Sequence, residues 1–138
     1  MNRDYVPLSL QRRVRDRARN RCEYCGISQA FQEATFHVDH VHPRSEEGPT
    51  EYENLALACV SCSLRKGART HALDPATGAR VATYNPRHDR WNEHFAVGED
   101  MRIVGRTPSG RATVELLSMN RTLAVAIRVE EARCGRFP

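Results

Sequence analysis

The sequence predicts an α+β domain in which short strands and helices are joined by metal-binding knuckles. Three observations support this prediction: a basic amphipathic segment near the start, two short apolar segments in the first half, and two Cys-x-x-Cys pairs. A chain of 138 residues has room for one domain, residues 1–138, with appended elements. Cores of this size often need a further staple, such as a bound metal ion.

The net charge of +4 comes almost entirely from arginine, whose guanidinium group matches phosphate oxygens and so favours a nucleic-acid partner. A merely soluble basic surface is the alternative. No run approaches the roughly 20 apolar residues of a membrane-spanning helix. Residues 1–5 lack the apolar segment of a signal peptide. We therefore expect a cytoplasmic protein with reduced thiols and no membrane association.

The first element, within residues 1–21, is a predicted helix. Ser9 is a suitable N-cap, and Leu10, Val14 and Ala18 follow at helical spacing. The remaining faces are rich in arginine, which indicates either a solvated surface or a surface that contacts phosphates.

The middle section, residues 22–70, holds two predicted strands and a helix. Residues 35–41 and 54–58 have strand composition, and Pro43 ends the first of them. A short basic helix is predicted over residues 63–70. The extension, residues 71–138, is predicted to contain a strand at 80–84, a hairpin of strands at 91–97 and 101–106, and helices at 107–119 and 122–132 that pack together as a helical hairpin.

Four cysteines form the pairs Cys22-x-x-Cys25 and Cys59-x-x-Cys62. Two such pairs supply the four thiolates of a closed tetrahedral Zn²⁺ site, which has a structural role because no coordination position stays open. Redox-active disulfides and free buried thiols are the alternatives. Cys134 is a fifth cysteine with no partner in this pattern.

Asp39 and His40 stand between the two cysteine pairs. A neutral histidine can remove a proton from water near pH 7, and a carboxylate can hold a divalent cation against a phosphate. Neighbouring side chains in a strand point to opposite faces, so both can serve one site only where the strand ends. Pro43 predicts such an end.

These residues belong to a longer series: Asp39-His40, Pro43, a loop with glycine, Asn54-Leu55, a Cys-x-x-Cys pair and Lys66-Gly67. The series resembles the signature of HNH endonucleases, which have a ββα-metal fold, and it covers about residues 20–70. Segments 85–95 and 107–112 are similar to the C-terminal extension of a bacterial HNH subfamily.

The resemblance implies a metal-dependent endonuclease that hydrolyses DNA. His40 would be the general base, Asp39 would bind a catalytic Mg²⁺ or Mn²⁺ ion, and Asn54 would orient His40 by a hydrogen bond across the two strands. The third position of the family motif, usually asparagine or histidine, is Ser63 here. Ser63 and His37, which lies on the Asp39 face of the strand, are therefore further candidate ligands.

Four basic residues near this motif are candidate contacts to the DNA backbone: Arg44, Arg65, Lys66 and Arg69. We expect the DNA to be double-stranded rather than single-stranded. Two other functions stay open. A non-catalytic, zinc-stabilised nucleic-acid-binding module with an eroded HNH site is favoured by Ser63. The other alternative is a redox protein that uses its Cys-x-x-Cys pairs. The sequence does not determine the oligomeric state.

Overall fold

The computed structural model describes residues 5–138. Residues 1–4, on which the expectation about a signal peptide partly rests, lie outside the described part. No helix within residues 5–138 has the length and apolar character needed to cross a membrane. The helices are α1 (Leu8–Arg17), α2 (Val60–Lys66), α3 (Trp91–His94), α4 (Pro108–Leu116) and α5 (Thr122–Arg133). The strands are β1 (His37–His40), β2 (Leu55–Ala58), β3 (His71–Leu73), β4 (Arg80–Ala82), β5 (Phe95–Val97) and β6 (Ile103–Gly105).

An antiparallel hairpin of β1 and β2, followed directly by α2, forms the ββα unit that the sequence predicts. His37 pairs with Ala58 and His40 pairs with Leu55. All four β2 residues are buried, because α1 packs on this hairpin and so does α2. A short run of apolar residues without alternation is typical of a strand covered on both faces.

Helix α1 is fixed to the hairpin by two of its arginines. Arg15 donates to the carbonyl of Phe36 at 3.0 Å, and Arg17 donates to the carbonyls of Tyr52, at 2.7 Å, and Leu55. The Arg17 guanidinium also lies 4.0 Å from the centre of the Tyr52 ring. Part of the basic face is therefore structural, whereas the α1 arginines that remain exposed are Arg12 and Arg13.

Helix α2 begins at Val60 rather than at Ser63, the predicted start. The Cys59 sulfur accepts the N–H of Cys62 at 3.4 Å, so the second cysteine pair itself caps the helix. Cys62 and Ser63 thus lie within the first turn of α2. The prediction was wrong here because a cysteine is not among the usual N-cap residues.

Two further hairpins, β3–β4 and β5–β6, make up much of the extension. The second hairpin was predicted, but residues 91–94 form the helical turn α3 instead of a strand. The indole N–H of Trp91 donates to the carbonyl of Tyr24 at 2.7 Å, which ties α3 to the first cysteine knuckle. This long-range contact cannot be read from the local pattern.

Strand β3, before the turn at Asp74, was not predicted.

The N-cap of α4 is Thr107, as predicted, and its hydroxyl accepts the N–H of Gly110 at 3.0 Å. Helices α4 and α5 do not pack mainly on each other, in contrast to the predicted helical hairpin. Helix α4 lies chiefly against β6. Helix α5 is held by the buried Arg128, which donates to the carbonyl of Met101 at 2.7 Å.

Replacement of Gly110 by alanine should destabilise the protein. Alanine favours a helix over glycine by about 1 kcal/mol, but a Cβ at this position would lie 2.0 Å from the carbonyl oxygen of His94. Because backbone atoms must move to relieve this overlap, we expect a net loss of about 2 kcal/mol in the free energy of unfolding, measured with urea. The exposed Glu115→Ala change on the same helix should alter it by less than about 0.5 kcal/mol. A Gly110→Ala protein as stable as wild type would contradict the packing of α4.

Candidate functional site

The two cysteine pairs converge in the folded chain. The sulfurs of Cys22, Cys25, Cys59 and Cys62 all lie within 4.8 Å of one another, and all four residues are buried. The sulfurs of Cys25 and Cys59, one from each pair, are 3.8 Å apart. A tetrahedral Zn²⁺ with bonds of about 2.3 Å requires sulfur–sulfur distances of about 3.8 Å. The donor set therefore fits one tetrahedral ion.

Electrostatics within this cluster also favour a cation. Hydrogen bonds from Cys22, Cys25 and Cys62 hold the pKa of the Cys59 thiol below its ordinary value. Hydrogen bonding with Cys22 raises the pKa of Cys25 and of Cys62. Hydrogen bonding within the cluster thus favours the loss of one thiol proton. Loss of further protons is disfavoured, because additional buried negative charges repel one another. A divalent cation removes that repulsion and lets the remaining thiols ionise.

Ser63, the residue after the last cysteine of the cluster, lies beside β1. Its hydroxyl donates to Oδ1 of Asp39 at 3.0 Å and also contacts Nδ1 of His37 at 2.8 Å. His37 and Asp39 are two positions apart on β1, so their side chains share a face of the strand. The structure thus brings together the three candidate cation ligands that the sequence proposed.

His40 lies at the end of β1, and its Nε2 is 2.8 Å from the hydroxyl of Thr50. Thr50 belongs to the loop between the two strands, and the amide of Asn54 holds that loop. Asn54 accepts the N–H of His42 at 2.9 Å and donates to the carbonyls of His42, at 3.1 Å, and Pro49, at 2.8 Å. These bonds connect Asn54 to His40 through the loop that carries Thr50, where the sequence had suggested a cross-strand bond to His40.

Asp39 and His40 open onto one cleft of about 240 Å³, although they are neighbours in the chain. The cleft also includes Pro43 and Arg44 from the turn after β1, and Gly67 from the end of α2. Gly48 makes this turn possible, because a Cβ there would lie 1.8 Å from the carbonyl oxygen of His42. The strand therefore ends where the sequence predicted, and the acid and the imidazole share one solvent-accessible space.

Lys66 lies behind this cleft and not on the surface, where a contact to DNA was expected. Its side chain is buried, and Nζ donates to the carbonyls of His40 at 3.2 Å and Gly67 at 3.3 Å. Burial lowers the pKa of Lys66, and the nearby Asp39 carboxylate opposes this shift. The lysine therefore places a positive charge close to Asp39 and supports the backbone of His40.

The other three predicted DNA contacts have different environments. Arg44 lines the cleft and donates to the carbonyl of Gly48 at 2.6 Å. Arg65, on α2, is exposed and donates to the hydroxyl of Ser118 at 3.2 Å. Arg69, after the end of α2, is also exposed. Sequence reasoning missed Thr50 and the inward direction of Lys66. Neither residue type carries a local signal, because their contacts depend on how the loop and α2 pack on β1.

Comparison with known proteins adds one decisive observation: residues 22–69 match the family model described as HNH endonuclease. We call residues 22–69, which are similar to HNH endonucleases, the HNH domain. No curated protein and no solved structure matches the chain. The HNH domain covers the cysteine cluster, the β1–β2 hairpin, α2 and the Asp39–His40 cleft, so each feature of the candidate site lies within it.

Loss of one cluster thiol should remove a bound metal ion from the HNH domain. We expect Cys25→Ser to lose one equivalent of zinc per chain and to unfold at a much lower temperature. Binding energies of structural zinc are on the order of 10 kcal/mol and contribute directly to folding. Elemental analysis by mass spectrometry and a thermal melt measure both effects. Cys134→Ser is the matched control, because Cys134 is exposed and outside the cluster. Equal zinc content and stability in Cys25→Ser and wild type would exclude the metal cluster.

Proposed function

We propose that this protein is a metal-dependent endonuclease that hydrolyses phosphodiester bonds in DNA. The observation that carries the proposal is the shared cleft of Asp39 and His40 inside an HNH domain. Hydrolysis of a phosphodiester requires a base for the attacking water and a positive charge beside the phosphate. One cleft offers a residue for each requirement.

His40 is the proposed general base. Its contact with Thr50 fixes the orientation of the imidazole, and the Asn54 amide stiffens the loop that carries Thr50. A base with a fixed ring needs no reorganisation when it takes the proton from water. Asn54 is accordingly a positioning residue for His40, and Thr50 is another.

Asp39 is the proposed ligand for the catalytic divalent cation, Mg²⁺ or Mn²⁺. Ser63 engages Oδ1, and a carboxylate has a second oxygen that can face a cation. When bound, such an ion neutralises charge on the phosphate and on the leaving oxygen. The buried Lys66 side chain places a positive charge close to Asp39. His37 and Ser63 complete the group of candidate ligands.

The ion in the cysteine cluster is proposed to be Zn²⁺ with a structural role. Four thiolates fill a tetrahedral shell, so no position stays open for water or substrate. A compartment that keeps thiols reduced suits this site, which supports a cytoplasmic location. Four converging thiols also make the redox alternative less favourable, because such a set favours a metal ion over two separate disulfides.

DNA is the proposed partner because the chain is basic and one of its arginines reaches the cleft. Arg44 lines the cleft, where it can contact a phosphate next to the scissile bond. Arg65 and Arg69 extend the basic surface along α2. Contacts of this kind position DNA without reading its sequence. The proposed substrate is double-stranded DNA.

A non-catalytic DNA-binding module is the second candidate. It is favoured by Ser63, since a serine hydroxyl is a weak metal ligand and here already bonds two side chains. Under this hypothesis the protein binds DNA through its arginines and cleaves none.

Substitution of His40 by alanine tests the endonuclease proposal. General-base catalysis contributes on the order of 10²–10⁴-fold, so His40→Ala should slow the nicking of a supercoiled plasmid by about that factor. Gel electrophoresis with Mg²⁺ or Mn²⁺ follows the reaction, and a gel-shift assay should show unchanged DNA affinity. His71→Ala, which changes an exposed histidine outside the cleft, serves as the matched control.

Two outcomes would contradict this proposal in different ways. If His40→Ala nicks as fast as wild type, His40 is not the base. If wild type and His40→Ala are both inactive while both bind DNA, the protein is a binding module.

A further inference from the structure

Ser63, in the first turn of α2, connects His37 to Asp39 on one face of β1. Its hydroxyl donates to Oδ1 of Asp39 at 3.0 Å and lies 2.8 Å from Nδ1 of His37. A serine hydroxyl has a single proton and two acceptor lone pairs. Because that proton goes to Asp39, the Nδ1 atom of His37 must donate to the serine oxygen. The chain of hydrogen bonds therefore runs from His37 through Ser63 to Asp39.

This direction fixes the tautomer of His37. With the proton on Nδ1, the neutral imidazole carries its lone pair on Nε2. The side chain of His37 is exposed, and it lines the same groove as Asp39, a depression of about 630 Å³ beside α1. Histidines that bind metal ions commonly donate their other N–H to a neighbouring acceptor, which orients the ring and raises the basicity of the ligand. Ser63 supplies that acceptor here.

We propose that His37 is the second protein ligand of the divalent-cation site, through Nε2, and that it gives the site a preference for Mn²⁺ over Mg²⁺. Ser63 orients both ligands and is not itself one. This inference rests on the proposed function, because it concerns the same cation that Asp39 binds.

The ion preference follows from ligand chemistry. Carboxylate and water oxygens suit both Mg²⁺ and Mn²⁺, but of the two ions only Mn²⁺ belongs to the first-row transition metals, which also accept nitrogen ligands. Mg²⁺ also gives up its water ligands reluctantly and usually binds through one or two carboxylates. A pair of one carboxylate and one imidazole therefore stabilises Mn²⁺ more than Mg²⁺. Removal of the imidazole should reduce binding of Mn²⁺ and leave binding of Mg²⁺ almost unchanged.

Cation binding to a chain that cannot cleave DNA tests this inference. The zinc-loaded His40→Ala protein is titrated with Mn²⁺, and free Mn²⁺ is measured by electron paramagnetic resonance, with Mg²⁺ as a competitor. A second substitution in this protein, His37→Ala, should weaken Mn²⁺ binding by a factor on the order of 10 or more. The affinity for Mg²⁺ should change by less than about 3-fold. Ser63→Ala should weaken Mn²⁺ binding on the order of 10-fold, because the ring loses its orientation.

The control in the same background is His71→Ala, whose imidazole contacts Thr70 at 3.0 Å and lies outside the groove. It should leave Mn²⁺ binding unchanged. Equal Mn²⁺ affinity with and without His37 would overturn the inference, as would equal losses for both ions. Failure of the endonuclease proposal looks different: the wild-type chain would bind Mn²⁺ through His37 and still not nick DNA.

A second measurement needs no substitution at the site. Long-range ¹H–¹⁵N correlation spectra of the zinc-loaded protein report the tautomer of each histidine. His37 should show a protonated Nδ1, and addition of Mn²⁺ should broaden the resonances of its ring at concentrations that leave those of His71 sharp. A proton on Nε2 in the absence of Mn²⁺ would contradict the hydrogen-bond direction on which the inference depends.

Discussion

Every part of the candidate site relies on the convergence of four buried thiols. One pair lies in the knuckle after α1, and the other joins β2 to the first turn of α2. Because Ser63 directly follows the last of these cysteines, the cluster also sets the distance between α2 and β1. The contacts of Ser63 with Asp39 and of Lys66 with the backbone of His40 are made possible by that placement. A chain of this length buries a small core, so an ion bound at this position would supply much of its stability.

The site lies at the end of β1 and consists of two residues that line the cleft and the residues that contact them. Asp39 and His40 line the cleft directly. The orientation of each side chain is also fixed by contacts with neighbouring residues. Ser63 and Lys66 reach Asp39 from α2, while Thr50 reaches His40 from the loop between the strands. Both sets of partners come from segments tied to the same hairpin. Loss of order in the cysteine cluster would therefore affect the acid more directly than the imidazole, since α2 carries the partners of Asp39.

Much of this arrangement follows from the sequence. Spacing of the cysteines predicted the cluster, Pro43 predicted the end of β1, and Thr107-Pro108 predicted the start of α4. Two of the failures share one cause, which is contact between segments that are distant in the chain. Residues 91–94 form a helical turn because Trp91 reaches Tyr24, and Lys66 points inward because β1 offers it a carbonyl oxygen. Local periodicity carries no information on either contact.

We infer that an ion bound by the four thiolates holds the Asp39–His40 cleft in its working geometry. Stepwise removal of zinc with a selective chelator, at a fixed excess of Mg²⁺, tests it most directly when zinc content and plasmid nicking are measured on the same samples. We predict that nicking falls in proportion to the zinc that remains bound. A zinc-free protein that nicks DNA as fast as the loaded one would contradict the claim.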